Sequence, residues 1–340
     1  MTTRVLPASD PGAVEEAARL IRAGEVVAFP TETVYGLGAD ALNESAVRKI
    51  YAAKGRPGDN PLIVHIADMD ALRPLVREIP RGAMELAEAF WPGPLTIIFP
   101  KSPAVPDAVT GGLDTVAVRM PSSGAARSVI RESARPLAAP SANASGRPSP
   151  TLASHVLEDM DGKIPLILDG GACRVGVEST VVALDGGRPV VLRPGGVTPE
   201  MLADVLGGAD VDRGVLSPVE PNGAPRSPGM KYRHYAPKCR VRVFRGDPRR
   251  AALAIAREYD ENEGAWILCS EENVPLYGGR RAISLGSGAE GAAANLFGAL
   301  READKRGARL VLAEGFAARG IGLAVMNRLG RAASFDITDV

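Results

Sequence analysis

Short apolar runs alternate with segments of helical period along most of this chain, and that alternation constrains the fold more than any other feature. Neither kind of segment can bury its apolar face alone, so strands and helices must layer on one another. Strands are predicted near Val26–Phe29, Leu62–Ile66, Leu95–Phe99, Thr115–Arg119, Leu137–Ala139, Leu166–Leu168, Ser179–Leu184 and Val190–Leu192. Helices are predicted near Glu44–Ala53, Met69–Arg77, Ala83–Phe90, Ala125–Ser133, Leu152–Met160 and Pro199–Leu206. An earlier helix opens with Asp10 and Pro11 at its cap and first position, carries an apolar stripe of Val14, Ala17, Ala18, Leu20 and Ile21, and stops at Gly24. Asp185-Gly-Gly reads as the turn of a closing hairpin. The fold expected is α/β with α+β character in its first part, an open twisted mixed sheet with flanking helices.

From Gly207 to Pro237 the periodicity disappears and Gly, Pro, Ser and Asp take over. Strands then resume near Arg240–Phe244, Ala265–Cys269 and Leu310–Leu312, alternating with helices near Arg249–Tyr259, Ala292–Lys305 and Ile321–Ala332. That is the pattern of a small Rossmann-like α/β unit with a parallel sheet. The expected division is 1–206, a linker over 207–237, and 238–340. With 340 residues, 45% of them apolar, the chain has the material for two cores. Zero formal net charge argues against a globally basic nucleic-acid binder and leaves room for a local basic cleft. Three scattered cysteines, Cys173, Cys239 and Cys269, form neither a disulfide framework nor a zinc motif. No segment approaches the roughly 20 apolar residues of a membrane span, and Met1–Asp10 lacks a signal-peptide core. The expected setting is cytoplasmic, with no membrane partner.

Two runs concentrate the chemistry. Pro30-Thr-Glu-Thr-Val-Tyr-Gly-Leu-Gly-Ala-Asp places hydroxyls, a carboxylate and two glycines at the mouth of an apolar strand, and Lys54-Gly-Arg-Pro-Gly-Asp-Asn-Pro-Leu supplies two cations beside a turn. Together they make a compact site for an anion. Taken singly, the first reads equally as a helix cap or strand end and the second as a solvated loop. Gly36-Leu-Gly38-Ala-Asp-Ala41 fits G-x-G-x-x-A, but the next strand ends in His65-Ile-Ala-Asp68 rather than in a ribose-binding acid, and the helix restarts too late to cradle a phosphate. A Walker-type loop is absent. Phosphate recognition would therefore fall to side chains, of which Lys54, Arg56, Arg119, Ser141, Asn143 and Arg193 are the candidates. His65, inside an apolar strand, reads by itself as a satisfied core residue, and His155 receives no role. Trp91-Pro-Gly-Pro reads as a structural anchor and turn. Glu32, Glu178 and Asp185 are possible metal neighbours whose spacing fixes no coordination set, so metal ligands stay unassigned.

These runs, followed in order by Asn60-Pro-Leu-Ile-Val-His, Trp91-Pro-Gly-Pro-Leu-Thr, Val118-Arg-Met-Pro, Pro140-Ser-Ala-Asn-Ala-Ser-Gly, Glu178-Ser-Thr-Val-Val and Leu192-Arg-Pro-Gly, resemble the threonylcarbamoyl-AMP synthases with their YrdC-like domain. The resemblance is strong from Val5 to about Leu206 and in Ser227-Pro-Gly-Met-Lys-Tyr-Arg-His-Tyr-Ala-Pro. It continues more weakly through Met326-Asn-Arg-Leu-Gly-Arg-Ala-Ala, and so implies the longer, two-domain subclass. The activity implied is ATP-dependent carboxylation of L-threonine by bicarbonate or CO2, then adenylation to L-threonylcarbamoyl-AMP with release of pyrophosphate. Mg2+ is the implied companion of ATP, and the product is expected to pass to the tRNA threonylcarbamoyl transferase machinery. By resemblance, Lys54, Arg56, Ser141 and Asn143 are catalytic. Thr33, His65, Arg119, Ala139 and Ser179 surround threonine, and Arg56, Asn60, Thr115, Ser141, Ser149, Arg193 and Tyr235 surround ATP. Lys231-Tyr-Arg-His-Tyr235 is the expected cover over the site. For the enzyme itself weak RNA binding is the further partner expected; two competing readings are a non-catalytic RNA-binding protein that uses a basic concave sheet face, and a carbamoyl transferase of the hydrogenase-maturation type. The latter requires a cysteine cluster that this chain lacks.

Overall fold

The computed structural model describes residues 2–217 and 235–340. Its first sheet has eleven strands: β1 (Arg4–Pro7), β2 (Val27–Phe29), β3 (Gly36–Asp40), β4 (Ile63–His65), β5 (Leu95–Pro100), β6 (Thr115–Arg119), β7 (Leu137–Ala138), β8 (Leu166–Asp169), β9 (Thr180–Asp185), β10 (Arg188–Arg193) and β11 (Asp210–Val211). They run in the order β1-β8-β2-β3-β7-β4-β6-β5-β9-β10-β11, with parallel and antiparallel pairs mixed as expected. Strand alternation sends Val26 and Ala28 into one core and Val27 and Phe29 into another. The second of these is closed by the helices Pro11–Arg22 and Gly124–Ser133. Asp10 caps the first of these helices through its side chain, and Pro11 occupies the first turn, where its missing N–H costs nothing.

Three local expectations are corrected. The apolar pattern at Met69–Arg77 does not form an α-helix but two short 3-10 turns, Met69–Ala71 and Arg73–Leu75, because Pro74 removes an N–H and disfavours helical backbone at the residue before it. Gly36-Leu-Gly38, where no strand is predicted, is the start of β3, paired with β2, and Gly36 lines the cavity described below. A Cβ at Gly38 would sit 2.4 Å from the Phe29 ring, so this glycine makes room for an aromatic side chain. Lastly, the segment after Gly207 opens as β11, an edge strand paired to β10, before residues 218–234 pass outside the described residues.

The second sheet contains β12 (Arg240–Arg245), β13 (Ala265–Cys269), β14 (Ala282–Ser284), β15 (Leu310–Glu314) and β16 (Ile337–Asp339), in the order β14-β13-β15-β12-β16. Every pairing in it is parallel. Helix Pro248–Glu261 covers one face, and helices Gly288–Lys305 and Gly322–Ala332 cover the other. The latter core also takes in Val34, Val177 and Tyr235, so it is continuous with loops of the first sheet. Gly176 marks the contact: a Cβ there would lie 2.4 Å from the carbonyl oxygen of Ala293. Among the described residues, no helix is long and apolar enough to cross a membrane.

Candidate active site

The face of β4, β6, β5 and β9 that carries Ile63, Ala117 and Val181 also carries the polar groups of the site, because side chains of one parity share a face. His65 and Arg119 are register partners at the ends of β4 and β6. Arg119 donates from Nη2 to Glu32 at 2.6 Å, from Nη1 to Thr33 Oγ1 at 3.0 Å and from Nε to the carbonyl of Gly93 at 3.3 Å. Burial pushes the Glu32 carboxyl up, but the Arg119 charge and hydrogen bond outweigh it and hold the group below its usual range. Burial, reinforced by the same arginine, pushes His65 down to about 3, so its ring is neutral.

The strand-end turn is set by Thr31, whose hydroxyl donates to the carbonyl of Val34 at 2.6 Å and accepts from the N–H groups of Thr33 and Val34. With the Thr31 proton so committed, the 2.8 Å contact between the two hydroxyls is donated by Thr33. Thr33 Oγ1 then keeps one lone pair beyond the Arg119 bond. It can accept an N–H or O–H from a ligand and has no proton left to give.

The opposite wall is the Ala139–Ser149 loop. Helix Glu44–Lys54 ends at Gly55 in the left-handed region, which turns the chain back and presents Arg56. Arg56 Nη2 lies 3.3 Å from the carbonyl of Asn60 and 3.4 Å from that of Pro61. The buried Nζ of Lys54 donates to the carbonyls of Ser141 and Asn143, the latter at 2.6 Å, and its own carbonyl accepts from Ser145 N. Burial, then the charge of Arg56, lowers its pKa well below that of a free lysine. Asn143 spends its amide N–H groups on the carbonyls of Ala144 and Arg147, while Oδ1 is buried with no partner among the described residues.

At the third wall, a bulge between Val191 and Arg193 shifts the β9–β10 register and aims Arg193 inward. Its Nε and Nη2 donate to the carbonyl of Ser179 at 3.1 and 2.9 Å, and Nη2 also reaches Ser179 Oγ at 3.1 Å. Glu178 accepts from Ser149 Oγ and, at 2.8 Å, from Arg328 Nε.

These walls surround a single cleft, concave and lined by convergent polar groups as small-molecule sites are. Of the residues expected from the sequence, Thr33, Arg56, His65, Arg119, Ala139, Ser141, Asn143, Ser149, Ser179, Arg193 and Tyr235 line it. Lys54, Asn60 and Thr115 do not. Lys54 braces the loop from behind, the Asn60 side chain is enclosed with neither amide atom hydrogen-bonded among the described residues, and Thr115 starts β6 at the end away from Arg119. Lys231, Tyr232, Arg233 and His234 of the expected cover lie outside the described residues. The sequence reading missed Arg147, Glu178 as a cavity residue paired to an arginine, and Arg328. Both of the last two stood within quoted motifs, and only the third dimension pairs them. Among the described residues no cluster of three or more His, Cys, Asp or Glu could hold a metal; Glu32 and Glu178 are taken by arginines and Asp185 is exposed.

The family model described as telomere recombination, for Sua5, YciO and YrdC proteins, matches residues 19–195, and the model for the threonylcarbamoyl-AMP synthase C-terminal domain matches residues 197–334. A threonylcarbamoyl-AMP synthase of Pyrococcus abyssi is 50% identical over 95% of each chain. The chain belongs to the threonylcarbamoyl-AMP synthase family. The synthase of Bacillus subtilis is 49% identical, over 97% of this chain and 95% of its own. The crystal structure of P. abyssi Sua5 complexed with L-threonine superposes with a TM-score of 0.92 and 47% identity, covering 100% of both chains.

Proposed function

We propose that this cavity makes L-threonylcarbamoyl-AMP from L-threonine, bicarbonate or CO2, and ATP, for threonylcarbamoyl-adenosine modification of tRNA. The observation that carries the reading is the division of the cavity. Arg56, Arg147 and Arg193 line it without any glycine-rich phosphate loop, and next to them stands a polar corner of Thr33, a neutral His65 and Ser179, with Arg119 offset by Glu32. The arginines suit a triphosphate, and the corner suits a small amino acid.

In this reading the threonine amine takes up CO2 to form a carbamate, losing a proton. A carbamate oxygen then attacks the α-phosphorus of ATP, and the bond to pyrophosphate breaks. No covalent nucleophile of the protein is required. Positioning and fixed positive charge supply the acceleration. The free lone pair of Thr33 and the unpartnered Oδ1 of Asn143 are acceptors set to orient substrate N–H or O–H groups. Arg119 serves by fixing Thr33 and Glu32. Mg2+ would arrive as part of the nucleotide substrate and offset its charge, since the carboxylates at the site are already paired. Tyr235, 5% exposed and stacked on Phe297 at 5.2 Å, closes one side against water.

The test is pyrophosphate release by the purified protein. It should require threonine, bicarbonate and ATP together; release that is indifferent to threonine or bicarbonate contradicts the reading.

A further inference from the structure

Helix Gly322–Ala332 of the second unit brings Arg328 to the back of the cavity with no exposed surface. Its Nε donates to Glu178 at 2.8 Å, and its Nη1 donates to the carbonyl of Pro194 and to Asn327 Oδ1, at 2.9 and 2.8 Å. Its guanidinium also lies 5.4 Å from the centre of the Tyr235 ring. Asn327 is anchored in turn to the carbonyl of Val215. One arginine thus grips the carboxylate that accepts the Ser149 hydroxyl, the carbonyl of Pro194 next to Arg193, and the face of Tyr235, and the side chains of Glu178, Ser149, Arg193 and Tyr235 line the cavity.

Such a pair is a poor device for joining two units. Removing two charges from water costs more than their attraction reliably returns, and apolar residues of like volume would hold an interface at least as well. Its placement gives it another use. Without Arg328, the charge of Glu178 beside the cavity would fall to Arg193 to offset, and that arginine would then be drawn away from an incoming triphosphate.

We infer that Arg328 is a positioning residue of the active site, supplied by the second unit: it neutralises Glu178 and sets the Ser149 hydroxyl and the Arg193 loop for ATP. The site is therefore incomplete without the C-terminal unit. This deepens the function proposed above and rests on it.

The test is a double-mutant cycle in the full-length protein, reading KM for ATP in turnover and Kd for ATP by calorimetry. Arg328→Met should weaken ATP by about tenfold or more, the scale of one lost charge-assisted contact. Arg328→Lys, which keeps the charge, should recover part of that loss. Glu178→Gln keeps the acceptor for Ser149 and removes the charge. Adding Arg328→Met to Glu178→Gln should then cost less than about threefold, against about tenfold or more in the wild-type background. Threonine affinity should change little throughout. Additive losses, no recovery by lysine, or an Arg328→Met protein with wild-type ATP affinity would overturn the inference. A wild type that binds ATP but forms no threonylcarbamoyl-AMP would instead overturn the proposed reaction, and the cycle would still be read in Kd.

Discussion

The ammonium of Lys54 lies 2.6 Å from the carbonyl oxygen of Asn143, and Arg56, two residues on, lines the cavity that Lys54 only braces. Two cations separated by a single glycine therefore have different duties. Replacing Lys54 with Met should leave the carbonyls of Ser141 and Asn143 buried without their donor, at a cost of about 1–3 kcal/mol in unfolding free energy, with activity falling as the loop loosens. Urea unfolding followed alongside turnover checks this. A Lys54→Met protein of unchanged stability but abolished activity would move the lysine from the scaffold to the chemistry.

Arg56→Ala should do the reverse. Loss of one charge-assisted contact to phosphate corresponds to about 1.5–3 kcal/mol, or about 10- to 150-fold in the adenylation step, with little loss of folding stability. Threonine-dependent pyrophosphate release at the wild-type rate in folded Arg56→Ala protein would falsify its assignment to phosphate.

Substrate choice follows from the corner of Thr33, His65 and Ser179. Thr33 can only accept, so an amino acid without a hydroxyl leaves acceptor capacity buried and unused. Serine should be a better substrate than 2-aminobutyrate when the two are compared by kcat/KM. Equal use of 2-aminobutyrate and threonine would mean that the corner reads size alone.

Stability should depend on pH through His65. Its folded pKa of about 3 lies below the ordinary 6.5. Between those values the unfolded chain binds a proton that the folded protein refuses, so stability falls as pH is lowered through this window, by about 1.4 kcal/mol per pH unit. His155, pushed down less far, to about 4, adds a smaller effect in the same direction. From pH 7 to pH 5, wild type should lose about 2 kcal/mol more stability than a His65→Asn variant. Parallel urea midpoints for the two proteins across that range would contradict a neutral buried imidazole.

Much of this was legible in the sequence because its signals are local. Asp10-Pro11 and Asn43 announce helix starts, and Asp185-Gly-Gly announces the turn between β9 and β10. Edge strands such as β1, β11 and β16 escaped notice, since a short, half-exposed strand is created by the neighbour it pairs with rather than by its own residues. The contrast between Lys54 and Arg56 was equally hidden. It depends on the left-handed turn at Gly55, which sends one cation behind the loop and the other into the cavity. Arg328 stood in a recognisable run, but its partner Glu178 is 150 residues earlier, and no local pattern joins them.

The central claim is that one cavity joins threonine, a one-carbon acid and the adenylyl group of ATP. Mass spectrometry of the product made from 13C-bicarbonate, threonine and ATP tests it directly. The account predicts an adenylate containing threonine and a single 13C, released with one equivalent of pyrophosphate. A product without the label, or threonyl-adenylate formed equally well without bicarbonate, would contradict it.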